Sequence, residues 1–101
     1  MPAYLIGDIA VDDPDLYAEY AAGVPATLEA YGGRYVVRGG APEAVEGDWP
    51  AQRIVILEFA DRERAMAWLE GSEYAPLRAK RHRAAQARFV LVDGHEPQPG
   101  G

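Results

Sequence analysis

Four short runs, residues 3–11, 34–38, 53–59 and 87–92, are rich in Tyr, Val, Ile, Leu and Phe, and each carries apolar residues at both of its alternating phases. Successive side chains of a β-strand point to opposite faces of a sheet. One phase collects Leu5, Ile9, Val11, Tyr35, Val37, Val55, Leu57, Phe59, Phe89 and Leu91, a set that belongs under helices. The other collects Tyr4, Ile6, Asp8, Arg34, Val36, Arg38, Ile54, Ile56, Glu58, Arg88, Val90 and Val92. Seven of those twelve are Ile, Val or Tyr, too much apolar surface for a sheet face left in water. A second copy of the same sheet is the economical cover, which predicts a homodimer whose two sheets close into an α/β barrel.

The segments between the runs read mostly as helices. Asp12-Asp13-Pro14 supplies an N-cap acid followed by proline at a first helical position, and Leu16, Tyr20, Val24, Leu28 and Tyr31 then recur at steps of three and four. Gly23 and Pro25 predict a kink or break within that helix, and Gly32-Gly33 a left-handed end to it. Residues 41–52 are a polar connection with room for a short hairpin arm. Asp61 can cap a helix ending at Gly71, and Ser72 a further helical segment from about Glu73 to Ala84. The resulting order, β-α-β-β-α-β with the second helix in two pieces, predicts an α+β, ferredoxin-like domain. Its four-stranded antiparallel sheet has order 4-1-3-2, with helices on one face. Residues 1–94 form this single domain, and 95–101 a flexible Pro- and Gly-rich tail.

Charges on the barrel wall need partners. With strands one and three taken to run in one direction and strands two and four in the other, Asp8 meets Arg88 and Glu58 meets Arg34, as structural ion pairs. Arg34 and Arg38 share a phase of GGRYVVRGG, but Arg38 has no acid opposite it. It is therefore the candidate grip for a carboxylate or enolate, with Asp8 and Glu58 as candidate catalytic carboxylates for proton transfer. The Gly39-Gly40 pair would let backbone or ligand approach Arg38 closely.

Composition excludes more than it identifies. The 101 residues contain no cysteine, which removes thiolate and disulfide chemistry, and the N-terminus has neither a basic region nor a long apolar stretch. A cytoplasmic protein without a membrane span is expected. Ten Lys and Arg against sixteen Asp and Glu give a net charge of -6, which repels phosphate backbones. The basic run at 78–83 lacks interleaved aromatics and reads as a solvated helix face, so no nucleic-acid partner is expected. His82, in that run, and His95, in the tail, are poor heme ligands, and no His, Cys or carboxylate cluster has metal-ligand spacing. No cofactor or metal is expected.

Tyr17-x-x-Tyr20, GGRYVVRGG, EGDWPAQRIVILEF at 46–59, Trp68, SEYAPL at 72–77 and Arg81 together closely resemble the domain of unknown function 1330 family, over about residues 2–94. The resemblance implies a ferredoxin-like subunit of a dimeric α/β barrel and no established reaction. The family looks like a branch of the dimeric α/β-barrel superfamily, which includes cofactor-free monooxygenases, lactone isomerases, aromatic cyclases and heme enzymes, so fold alone does not select among them. The matching motif residues are Tyr35, Arg38, Gly39, Gly40, Glu46, Trp49 and Arg53. Of these, Arg38, Tyr35, Glu46, Trp49 and Arg53 are the candidate substrate-binding residues. Trp49 would plug the dimer rim or lid a pocket, and Glu46 would pair with Arg38 or Arg53. A small organic acid or phenolic compound is the expected ligand. Its handler is a cofactor-independent isomerase, cyclase or monooxygenase-like enzyme, or a non-catalytic binding protein.

Overall fold

The computed structural model describes residues 1–95. The expected tail lies outside the described residues except for His95. Seven elements follow one another: β1 (Ala3–Val11), α1 (Pro14–Ala30), β2 (Arg34–Gly39), β3 (Arg53–Phe59), α2 (Arg62–Glu70), α3 (Ala75–Ala84) and β4 (Ala85–Asp93). The sheet has order β2-β3-β1-β4, and every neighbouring pair is antiparallel. No helix among the described residues is long and apolar enough to cross a membrane.

Local chemistry sets the element ends. Asp13 accepts from the Leu16 amide at 3.1 Å and Asp61 from the Arg64 amide at 2.8 Å, so the starts of α1 and α2 each have a donor satisfied by an aspartate. Gly32, at φ +71°, turns the chain out of α1 while the Gly33 amide donates to Leu28 O at 2.8 Å. Ser72 does not cap α3 as expected. Its hydroxyl donates to the neighbouring Glu73 carboxylate, and the helix starts only at Ala75. Residues 41–52 hold no strand, so the expected hairpin arm is absent. α1 runs unbroken through Pro25, where a kink or break was expected.

The core lies between one sheet face and the helices. Leu5, Ile9, Leu57 and Phe59 from the sheet meet Val24, Leu28, Trp68 and Tyr74 from the helical layer, all nearly devoid of exposure. Trp68 sits at the centre, its ring 4.0 Å from Tyr74 and 5.7 Å from Phe59 between centroids. Its indole N–H donates to Thr27 Oγ1 at 3.0 Å, and Thr27 donates on to Val24 O at 2.7 Å, so this buried donor has a partner.

Two features of the sheet differ from the strand-by-strand reading. β1 and β3 run antiparallel, not in one direction, so Asp8 lies beside Ile54 while Glu58 lies beside Tyr4. Four residues of strand, about 13 Å, separate the two carboxylates. In β2, moreover, the register slips: Tyr35 pairs with Leu57 but Val37 with Ile56, leaving Val36 as an extra residue in a β-bulge. Beyond it the phase is reversed. Val37 joins the open face with Ile56, Ile6 and Val90, and Arg38 pairs with Val55 on the helix face. Arg34 and Arg38 therefore lie on opposite faces.

Gly7 pairs with Phe89, and a β-carbon on it would lie 2.5 Å from Phe89 Cε1. The aromatic ring occupies the space that any side chain at position 7 would need. Gly7→Ala is expected to destabilise the fold by about 1–3 kcal/mol in denaturant titration. Adding Phe89→Leu should recover part of the loss, and a Gly7→Ala protein as stable as wild type would show that the ring is free to move.

Candidate functional site

The helix face carries an unusual layer of aromatic rings and guanidinium groups. Tyr17, Tyr20 and Val24 follow one stripe of α1, Tyr74 precedes α3, and Arg81 lies two turns into the same inward stripe as Tyr74, Leu77 and Ala84. Tyr20 and Tyr74 share a hydrogen bond of 2.8 Å between hydroxyls, and Arg81 Nε donates to Tyr74 Oη at 3.3 Å. Arg81 is only 6 % exposed, with Cζ 4.7 Å above the Phe89 ring. Burial among these groups pushes the Tyr20 hydroxyl far above its ordinary pKa, so it stays a neutral donor and acceptor.

The same layer reaches the β2 edge of the sheet. Arg53 Nε donates to Tyr17 Oη at 3.1 Å, and its Cζ stands 5.2 Å from that ring. Arg38 lies over Tyr35, Cζ to centroid 4.6 Å, and Nη2 donates to Ala21 O at 3.1 Å. Tyr35 is also raised, by burial first, although Arg38 pulls it the other way. The space opposite Gly39 is taken by Arg53: a β-carbon there would lie 2.8 Å from Arg53 Nη1, and the residue has φ +93°. The glycine expected to admit something to Arg38 thus admits its neighbour Arg53. None of Arg38, Arg53 and Arg81 has a carboxylate partner among the described residues. Each is held by a ring face and an uncharged oxygen, which leaves its positive charge uncompensated.

The open face is organised differently. At one end Glu58 accepts from Arg34 Nε at 2.8 Å and from Tyr4 Oη at 2.7 Å; at the other Asp8 accepts from Arg88 Nη2 at 2.7 Å and from Trp49 Nε1 at 3.0 Å. Val37, Ile56, Ile6 and Val90 form an apolar belt between them. Trp49, half exposed, borders a surface hollow together with Ile6 and Val90, whereas Glu46 in the same 41–52 loop bonds neither Arg38 nor Arg53.

The sequence-derived set therefore divides. Arg38, Arg53 and Tyr35 come together on the helix side, while Asp8, Glu58 and Trp49 lie across the sheet from them. One ligand cannot meet Arg38 and either carboxylate at once, a correction that follows from the bulge. Arg81 entered only as a residue of the family resemblance, and the basic run around it does not lie wholly on a solvated face: Arg81 is buried, and its spacing from Tyr74 and Leu77 was the available signal.

Both open-face carboxylates are held below their ordinary pKa, Asp8 chiefly by the Arg88 hydrogen bond and Glu58 chiefly by the Tyr4 hydrogen bond and then Arg34. A lowered folded value means that each contributes stability present above the unfolded pKa, about 4, and lost as pH falls through the folded value. Denaturant titrations between pH 2 and 7 should show this acid loss reduced in Asp8→Asn and Glu58→Gln. It should also shrink in high salt, since Arg34 and Arg88 are exposed. An acid limb identical to wild type in both variants would mean that these pairs do not contribute.

Comparison with solved structures supports the fold. A protein of unknown function from Rhodopseudomonas palustris aligns with TM-score 0.76 at 17% identity, covering 95% of this chain and 84% of that one. SnoaB, a cofactor-independent oxygenase from Streptomyces nogalater, aligns at 0.65 and 11% identity, covering 97% of each chain. A dimeric ferredoxin-like protein of unknown function from Jannaschia sp. CCS1 aligns at 0.64 and 9%, covering 93% of this chain and 100% of that one. No curated protein matches the chain in sequence. With residues 2–95 matched, nearly the whole of a ferredoxin-like chain, the protein belongs to the family described as Domain of unknown function (DUF1330).

Proposed function

We propose that this protein is a homodimer that binds a small anionic or phenolic organic molecule on the helix side of each sheet, at Arg38, Arg53 and Tyr35. The observation that carries the reading is that these two guanidiniums have no carboxylate partner among the described residues although both act on the Tyr35 hydroxyl. A carboxylate or phenolate would supply the missing charge through short, charge-assisted hydrogen bonds, and the Tyr35 ring offers a face to an aromatic ligand. The chemistry suited to such a site is stabilisation of an enolate or phenolate during isomerisation, cyclisation or oxygenation without a cofactor. SnoaB, described as a cofactor-independent oxygenase, has a similar fold, which makes that class the one to assay first.

One observation favours the second reading, a binding protein without turnover. Asp8 and Glu58 are each occupied by two donors and lie on the other face. On the proposed arrangement they hold the subunit interface, with Trp49 at its rim, and Glu46 receives no role. Calorimetric titration with benzoate and 4-hydroxybenzoate should give saturable binding. Arg53→Gln should weaken it about tenfold or more, the effect of losing one hydrogen bond to a charged group. Asp8→Asn and Glu58→Gln should leave it unchanged. Binding that survives Arg53→Gln, or fails with Asp8→Asn, would move the site elsewhere.

The homodimer is proposed through the open face, where Val90 of the apolar belt and the flanking Val36 and Val92 are exposed. The Jannaschia protein of similar fold is described as dimeric. Light scattering should return twice the 11.0 kDa chain mass, and Ile56→Asp should return the single mass. A folded wild-type monomer at micromolar concentration would refute the interface.

A further inference from the structure

Pro25 lies inside α1, where proline is normally excluded because it lacks the N–H that bonds the carbonyl four residues earlier. Here that carbonyl belongs to Ala21. Arg38 Nη2 donates to that Ala21 carbonyl at 3.1 Å, from a strand 17 residues away in sequence from its acceptor. Arg38 reaches this carbonyl only because the bulge at Val36 turns it under α1, and the Tyr35 ring supports the guanidinium from its own strand.

We infer that Pro25 is a positioning residue for Arg38: by withholding an amide it leaves the Ala21 carbonyl to seat one guanidinium nitrogen, which fixes the remaining N–H groups toward a ligand carboxylate. This rests on the proposed ligand site of the preceding section, whose cation it aims. An exposed arginine on a flexible stem ordinarily loses rotamer freedom when it binds. A guanidinium already held by a carbonyl and a ring has lost much of that freedom beforehand, so its hydrogen bonds to a ligand are correspondingly tighter. Nε and Nη1 make no hydrogen bond within the described residues, and a planar carboxylate fits an open edge of the fork better than a lone hydroxyl does. The ligand class this favours is a carboxylate borne on a small, flat body that lies near Tyr35.

A double-mutant cycle separates the two halves of the proposal. Wild type, Pro25→Ala, Arg38→Gln and the double variant are melted without ligand, with Arg38→Lys as a substitute should Arg38→Gln fail to fold. In the wild-type background loss of Arg38 exposes an unbonded carbonyl, and the melting temperature should fall by about 4–8 °C. In the Pro25→Ala background the new amide serves Ala21, and the fall should be under about 2 °C. Equal falls in both backgrounds would overturn the link between Pro25 and Arg38. Benzoate titration then tests the aim of the cation: Pro25→Ala, with Arg38 intact, should bind about 3- to 10-fold more weakly than wild type. Coupled melting with unchanged benzoate affinity would reduce the contact to a helix repair and overturn the positioning role. Wild type that binds no benzoate would bring down the ligand site itself, while the melting cycle would still decide whether Pro25 seats Arg38.

Discussion

One extra residue in β2 governs how this molecule divides its charges. Without the bulge at Val36, strict alternation would place Arg38 on the open face and Val37 among the helices. With it, Val37 completes an apolar belt of four strands' width, and Arg38 passes to the side where α1 has a carbonyl to offer. The irregularity thus makes one face more apolar and charges the other. Bulges tend to occur where a side chain has to be re-aimed, and the consequences here lie on both sides of the sheet.

The helix side shows how an acidic chain can hold cations inside without acids. Arg81 is buried, yet its guanidinium rests on Phe89 and donates to the Tyr74 hydroxyl, which in turn pairs with Tyr20. Phe89 can take that place only because Gly7 has no side chain. Arg53 and Arg38 repeat the arrangement on Tyr17 and Tyr35 with less burial. Ring faces and neutral oxygens satisfy hydrogen-bonding capacity but leave net charge standing, and burial strengthens the field of an uncompensated charge. The net charge of -6 gives the whole protein one sign, and this layer, locally, the other.

Element order and sheet order were legible because caps, periodicity and alternation are local signals, with β4 beginning two residues early, directly from α3, whereas the relative direction of β1 and β3 and the faces of Val37 and Arg38 came out differently. The pairs Arg34–Glu58 and Asp8–Arg88 were legible for the same reason, since each joins strand neighbours. The bulge was not. Nothing in GGRYVVRGG marks Val36 as supernumerary, because the slip is set by how β2 fits β3 and α1 together, and a one-residue slip exchanges faces for everything beyond it. The error in Arg38's face, and with it the grouping of Arg38 with Asp8 and Glu58, has that single origin. Pro25 read as a helix breaker for a related reason: its cost depends on whether another donor reaches Ala21, and that donor lies on a different element.

The division between faces narrows the chemistry open to the site. Proton abstraction from carbon needs a base of suitable pKa within hydrogen-bond reach of the reacting centre. The groups bonded to Arg38, Arg53 and Arg81 are rings, phenolic hydroxyls and a backbone carbonyl, and the phenols of Tyr20 and Tyr35 are held above their ordinary pKa. Such a set stabilises negative charge well and generates it poorly. A ligand that arrives already ionised, a carboxylate or an acidic phenol, suits it better than a neutral ketone that must first be enolised. Were the proposed site to turn a ligand over, this would weigh toward reactions that begin from a preformed anion, where the protein's part is to hold and orient the charge.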